Sequence, residues 1–265
     1  MKVSIVTISY NQGRFLEQAI RSVVEQDHEN LEYIVVDPGS SDGSRDIIER
    51  YRSRIAKVVF KPDDGPGDGL NNGFAQTSGE IYGYLNADDV YLAGTLTKVC
   101  DIFAKKKHID VLSAHCYVID QNGRPVQKAF SHKFDLRRYA AGCCVLIQQS
   151  TFFRSRVFKQ TRGFNASNRI SWDAELAVDL ALAGARFEVV HDYWSCFRIY
   201  PESLTGSKDQ REKHAEERKR IAARVGFAAM SRLRRKLLWA TGWFRQPMTL
   251  GLRLVDGMVH PRRLV

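Results

Sequence analysis

The sequence predicts an α/β fold, a mixed and mainly parallel sheet with flanking helices, followed by a helical, basic C-terminal extension. Over the first ninety residues, short β-branched runs alternate with apolar residues at helical spacing, the pattern of strands and helices taking turns around a parallel sheet. A Gln121-Asn122-Gly123 hairpin signal then brings in antiparallel strands. Charge also divides along the chain: residues 1–204 hold 25 Lys and Arg against 25 Asp and Glu, whereas the remainder holds 15 against 5. A neutral body with a basic tail argues against a fold devoted to nucleic acid and for a globular domain whose appended helices meet something anionic.

Val3 to Ser9 is a near-continuous β-branched run and reads as a buried strand. Asn11 is placed to cap the next helix, in which Phe15/Leu16, Ala19/Ile20 and Val23/Val24 recur at helical spacing. Tyr33 to Val36 is a second strand ending at Asp37. The turn Pro38-Gly39-Ser40-Ser41-Asp42-Gly43 opens a helix from Ser44 to Arg54, and Lys57 to Phe60 is a third strand. A loop from Pro62 to Gly69 leads to a short helix around Leu70 to Gln76, then to a strand, Ile81 to Leu85, that ends at Asn86-Ala87-Asp88-Asp89. A helix near Leu92 to Lys105 precedes strands at Val111 to Ile119 and from Val126. Asp173 to Ala183 reads as a helix, Arg186 to Val190 and Trp194 to Ile199 as strands, and the chain from Ser207 as helical.

The 265 residues are 44% hydrophobic and 26% charged, which excludes disordered and fibrous classes. Lys or Arg interrupts every stretch approaching the roughly 18 to 20 apolar residues of a membrane span. The first residues lack a signal-peptide pattern, so the chain is read as cytoplasmic. Its five cysteines are odd in number and contain no C-x-x-C, pointing to neither a disulfide framework nor a thiolate zinc site.

Ligands of open α/β sheets gather outside the carboxyl ends of strands, where Asp37 and the Asp88-Asp89 pair both fall. Two adjacent carboxylates at the end of an apolar strand repel each other unless a hard divalent cation compensates. The same residues are equally compatible with capping the following helix. Asp37 has two readings as well, acceptor for a nucleobase edge or simple turn former. Ser9 and Tyr10 are either a strand end or part of a nucleoside pocket in which Tyr10 stacks on a base.

Three segments, in this order and spacing, resolve the choice by resemblance: Val3-Ser4-Ile5-Val6-Thr7-Ile8-Ser9-Tyr10-Asn11, Ile34-Val35-Val36-Asp37-Pro38-Gly39-Ser40-Ser41-Asp42-Gly43-Ser44, and Gly79-Glu80-Ile81-Tyr82-Gly83-Tyr84-Leu85-Asn86-Ala87-Asp88-Asp89. They resemble the family 2 glycosyltransferases of GT-A fold. Gly65 to Gly73 resembles the loop and helix start that this family places before its metal strand, and Arg162-Gly163-Phe164-Asn165 resembles its Gly-Gly-Phe-Asp turn. The likeness covers roughly residues 1–205 and implies a GT-A-like, Rossmann-type catalytic domain. About residues 1–90 form its nucleotide-binding half and 91–205 its acceptor half, with 206–265 as the extension.

What the resemblance implies is inverting transfer of a sugar from a nucleoside diphosphate donor, UDP favoured, to a hydroxyl of a glycan or lipid-linked acceptor, with Mn2+ or Mg2+ as cofactor. Ser9, Tyr10, Asp37, Asp64 and Asp88 would hold the nucleotide. Asp88 and Asp89 would hold the metal, and Asp173 would be the general base, kept ionised by its helix N-terminus. Glu175 is the fallback base. The sequence departs from the family at Asn86, which replaces the first acid of the Asp-x-Asp motif, and at Tyr200, where an Arg-x-His-Pro segment often carries a His. Tyr200 is a poor ligand for either metal, and His191 is a nearby substitute. In the tail, Met230, Leu233, Leu237, Ala240 and Phe244 form an apolar stripe that, with Trp239 and Trp243, suits the anionic inner face of a membrane. The rival readings are a sugar-nucleotide nucleotidyltransferase, which would show a Gly-rich loop after the first strand, and a non-enzymatic scaffold that binds membrane or RNA.

Overall fold

The computed structural model describes residues 1–203, 211–226, 236–238, 240–241 and 248–252. Its first half alternates β1 (Val3–Ile8), α1 (Gly13–Val24), β2 (Leu31–Val36), α2 (Ser44–Arg50), β3 (Lys57–Val59), α3 (Pro66–Phe74) and β4 (Ile81–Asn86). There follow β5 (Val90–Tyr91), α4 (Thr95–Lys105), β6 (Val111–Ile119), β7 (Pro125–Ala129), α5 (Leu136–Ala140), β8 (Thr151–Arg154) and α6 (Ser155–Phe158). The described chain closes with α7 (Trp172–Leu182), β9 (Phe187–Arg198) and α8 (Arg211–Arg224).

Among the described residues, nine strands join one sheet in the order β3-β2-β1-β4-β8-β6-β9-β5, with β7 on β6. The β1, β2, β3 and β4 pairings are parallel, whereas β8 is antiparallel to β4 and β6. Val3, Ile5 and Leu85 pack with the inward face of α1 on one side, and Val6, Ile34 and Val36 with Leu70 and Phe74 on the other. A strand buried on both faces needs a continuous apolar run, which is why these segments read so clearly in the sequence.

Several boundaries differ from the sequence reading. Asn11 does not cap α1: it adopts φ +52°, its Oδ1 accepts from Ser41 N, and its own N–H donates to Ser40 Oγ. Asp42, from the next βα loop, accepts from Gly13 N at 2.7 Å and from Ser44 N, so it serves the N-termini of two helices. The helix opened by Ser44 ends at Arg50, followed by a turn of 3-10 helix, and α3 begins at Pro66 rather than Leu70. The two strands expected after α7 are one, β9. Its parallel register with β6 shifts on both sides of His115, which breaks the regular alternation. Of the apolar C-terminal stripe, Met230, Leu233 and Phe244, with Trp239 and Trp243, lie outside the described residues, while Leu237 is exposed. No helix among the described residues is long and apolar enough to cross a membrane.

Helix α3 approaches the sheet through Gly73, where an added Cβ would lie 2.4 Å from Val6 Cγ1 and 3.0 Å from Val36 Cγ2. Gly73→Ala should therefore destabilise the protein by about 1–3 kcal/mol through overpacking, read as a lower urea midpoint with an unchanged slope.

Candidate functional site at the carboxyl edge of the sheet

Strand β1 pairs in register with both neighbours, Ile8 lying opposite Val36 on β2 and Asn86 on β4. The three strands therefore end at one level, and the residues beyond them are neighbours. Hydrogen bonds Ser9 N to Val36 O, Asp37 N to Val59 O and Ala87 N to Ile8 O carry the pairing past the strand ends.

Asp37 is fully buried, with Oδ1 accepting from Gly39 N, Ser40 N and Arg45 Nε and with no partner for Oδ2. Ser9 Oγ is also buried without a partner, and Tyr10 projects outward at 61% exposure. Asp64 is exposed, and its N–H donates to Asp68 Oδ2. The aspartate turned inward in this loop is Asp63, whose pKa is raised by burial and by the charges of Asp68, Asp64 and Asp37. The Asp63-Asp64 pair alone does not tell which of the two turns in. A Cβ on Gly69 would come within 2.7 Å of Asp63 Oδ2 and 3.5 Å of Ile8 Cγ2, which shows how closely this loop folds over the end of β1.

The acidic pair caps no helix. Asp88 Oδ2 accepts from Tyr200 Oη at 3.0 Å, and buried Asp89 accepts from Arg198 N through Oδ1 while its Oδ2 has no partner. Burial and the adjacent Asp88 charge push the Asp89 pKa well up, and burial raises that of Asp88. Buried Arg198 donates to Asp88 O, Asp120 O and Gln18 Oε1 and lies 4.7 Å from the Phe15 ring centroid. It thus brings a positive charge to the pair without occupying the free oxygen of Asp89. The sequence reading did not single out Arg198; its place in the Arg-x-His-Pro-like segment is the signal that points to it. The ring of His191 instead faces His115, its Nδ1 3.3 Å from His115 Nε2.

Asp173 occupies the second position of α7, after Trp172, with Ser171 as the N-cap. It lines a small cavity with Tyr84, Tyr139, Gln148 and apolar side chains that include Leu176 and Phe187. Asp37, Asp88 and Asp89 are not in its wall. The link to the strand ends is Gln148, which donates to Tyr84 O and accepts from Asn86 Nδ2. Burial raises the Asp173 pKa against the lowering by first-turn N–H groups, so the depression expected from the helix N-terminus is overridden.

Glu175, the fallback base of the sequence reading, is engaged by arginines and amides. It is 1% exposed and accepts hydrogen bonds from Arg162, Arg220, Arg224, Asn165 and Asn168. Burial alone would raise its pKa, but these donors, Arg220 foremost, lower it to about 2. A carboxylate held so firmly in the ionised form has little affinity for a proton.

The sequence profile described as Glycosyl transferase family 2 matches residues 4–162, more than half of the chain. The chain belongs to glycosyl transferase family 2. An uncharacterized glycosyltransferase of Nostoc sp. is 35% identical over 132 residues, covering 49% of this chain and 41% of the relative. The putative teichuronic acid biosynthesis glycosyltransferase of Bacillus subtilis is 29% identical over 129 residues, 48% of this chain and 51% of the relative. The chain thus spans about half the length of these curated relatives.

Solved structures share the fold, two of them as follows. Staphylococcus aureus TarS in complex with UDP-GlcNAc superposes with a TM-score of 0.69 at 21% identity, covering 93% of this chain and 72% of that one. The mannosyltransferase of Pyrobaculum calidifontis in complex with GDP-Man and Mn2+ gives 0.66 at 19% identity, covering 98% and 72%. The fold is therefore that of the GT-A glycosyltransferases.

Because the folded pKa of Glu175 lies below the ordinary value of 4.5, its ion pairs stabilise the protein above about pH 4.5 and lose that effect as pH falls toward 2. Glu175→Gln should flatten the dependence of thermal stability on pH between about 5 and 3, as followed by circular dichroism.

Proposed function

We propose that this chain transfers a sugar, with inversion, from a nucleoside diphosphate donor, UDP favoured, to a hydroxyl of a glycan or lipid-linked acceptor in cell-surface polysaccharide or glycolipid synthesis. One observation carries the proposal: Asp37 and Asp89, at the ends of strands flanking β1, each keep a buried oxygen without a partner. An unpaired buried acceptor costs about 1–3 kcal/mol, so its retention at two neighbouring strand ends fits a ligand that supplies the missing donors or cation.

In this reading Asp37 Oδ2 accepts an N–H from the base edge, while Ser9, Tyr10 and Asp64 line the nucleoside pocket. Asp88 meets the ribose, and Asp88 with Asp89 holds Mn2+ or Mg2+. The residues present fit such an ion. Among the described residues no group of three or more His, Cys, Asp or Glu converges as a metal cluster, and Mg2+ is commonly held by one or two carboxylates completed by phosphate oxygens and water. The bound cation would stabilise the negative charge gathering on the leaving diphosphate. Asp173 takes the proton of the acceptor hydroxyl as its oxygen attacks the anomeric carbon from the face opposite the diphosphate. A carboxylate whose proton affinity is raised by burial is better matched to that task than an ordinary one. The UDP-GlcNAc complex of TarS supports a uridine donor, the GDP-Man and Mn2+ complex supports metal use, and the teichuronic acid relative supports a polymer at the cell surface.

With Mn2+ present, UDP should raise the melting temperature, reaching about 2.7 kcal/mol of stabilisation at a hundredfold excess over Kd, whereas GDP should not. A shift with GDP alone overturns the uridine assignment, and no shift with any nucleoside diphosphate overturns the donor class. Asp173→Asn should keep the UDP shift while lowering sugar transfer or donor hydrolysis about 10²–10⁴-fold, measured as UDP release. Asp89→Asn should remove the dependence of UDP binding on Mn2+ with the far-ultraviolet dichroism unchanged.

A further inference from the structure

The basic helix α8 turns two of its arginines, Arg220 and Arg224, onto α7. His214, Glu217, Ile221 and Arg224 recur at spacings of 3, 4 and 3 and so share one helix face, with Ile221 3% exposed. On the flank of that face, Arg220 donates from both terminal nitrogens to the two Glu175 oxygens, while Arg224 reaches Glu175 and Asp179 on the next turn of α7. Both acids are more than nine-tenths buried. At the other end of the contact, His214 Nδ1 lies 3.3 Å from the hydroxyl of Ser171, the N-cap of α7 and the residue two before Asp173.

The same carboxylate gathers the loop before α7. Arg162, Asn165 and Asn168 all donate to Glu175. This loop in turn is bolted to α3, since Phe164 N donates to Asn71 Oδ1 and Asn71 Nδ2 donates to Phe164 O. It also touches the first turn of α3, where a Cβ at Gly67 would lie 2.9 Å from Asn165 O. Exposed ion pairs are worth little, but here one nearly inaccessible carboxylate is shared by three guanidiniums and two amides. Removing its partners leaves a buried charge that the first turn of α7 must move to hydrate.

We infer that Glu175, with Arg220 and Arg224 of α8, is a positioning cluster for the sugar-transfer reaction: it fixes the first turn of α7, and with it Asp173, against the donor side of the site. The inference rests on the sugar-transfer reading and makes residues 211–226 part of the catalytic unit.

The test uses the full chain and the donor, among UDP-glucose, UDP-galactose and UDP-GlcNAc, from which the wild type releases UDP fastest with Mn2+. For Arg220→Ala/Arg224→Ala, kcat for UDP release should fall about tenfold to hundredfold, as expected of a base displaced by an ångström, with KM and calorimetric UDP affinity within about twofold. Amide exchange in residues 172–182 should rise about tenfold while that of β1, β2 and β4 stays unchanged. Arg220→Lys/Arg224→Lys, which keeps charge but loses the paired donation of Arg220, should recover part of both losses. If the double alanine variant does not fold cooperatively, Arg220→Lys alone carries the test, with a kcat loss of about threefold at unchanged UDP affinity.

Full kcat in the alanine variant, or unchanged exchange in α7, overturns the positioning role. So does a kcat loss matched by an equal loss of UDP affinity. A wild type that neither binds UDP nor releases it overturns the sugar-transfer reading instead, and α7 exchange then still decides whether the cluster holds the helix.

Discussion

The structure depends on the register of β1 with its two parallel neighbours. Because Ile8 stands opposite both Val36 and Asn86, three strands leave the sheet at the same height, and whatever follows each strand must share one rim. The apolar runs Val3–Ile8, Leu31–Val36 and Ile81–Asn86 make these pairings central and buried on both faces. That burial has a second consequence. The polar residues just past the strand ends are only partly in water, so Ser9, Asp37 and Asp89 keep buried atoms that a solvated turn would satisfy at once. The rim thus carries unpaired buried polar atoms in the free protein, each at a desolvation cost.

Charge at the rim is balanced without closing it. Asp88 and Asp89 together carry two negative charges when ionised, and Arg198 is a buried cation beside them. A guanidinium has five donors in a fixed plane. Here they go to the Asp88 carbonyl, the carbonyls of the Asp120-Gln121 hairpin and the Gln18 amide, so Arg198 ties β9, the hairpin and α1 to the acidic turn. A lysine could supply the charge but not those simultaneous directions. Tyr200, two residues on, adds a hydroxyl to Asp88 Oδ2 and packs its ring 4.9 Å from that of Phe15. Tyr200 is thus a neutral donor that touches the acid directly.

What the sequence disclosed and what it concealed follow from the range of the interactions. The parallel strands and the position of Asp37, Asp88 and Asp89 at their ends were legible, because a doubly buried strand writes its burial into consecutive residues. The Asn11 cap was misjudged because the competing partner, Ser41, sits 30 residues away on the next loop. The continuity of β9 was hidden by irregular register around His115, where neither a period of two nor one of 3.6 survives. Arg198 and Glu175 were hardest to read. Their partners lie as far as 180 and 49 residues away, and no local pattern distinguishes an arginine that will be buried from one that will be solvated.

The basic tail shows the same limit in another form, since net charge counts ions but not directions. Helix α8 carries Arg211, Lys213, Arg218, Lys219, Arg220 and Arg224 against Glu212, Glu216 and Glu217, and by composition alone it resembles a solvated basic helix. Yet Arg220 and Arg224 are engaged by two buried acids of α7, and Arg220 also by Glu217, so within this helix part of the excess is neutralised by the body of the protein. The body is neutral in total only because it holds acids such as Glu175 and Asp179 whose counter-ions come from the tail. Any attraction of the tail to an anionic surface must therefore come from the outward residues Lys213, Arg218 and Lys219 and from the chain beyond residue 226, where Arg and Lys again outnumber acids. The division at residue 205 is one of composition. Hydrogen bonding carries the body on through α8, because a buried carboxylate obliges its cations to stay wherever in the sequence they originate.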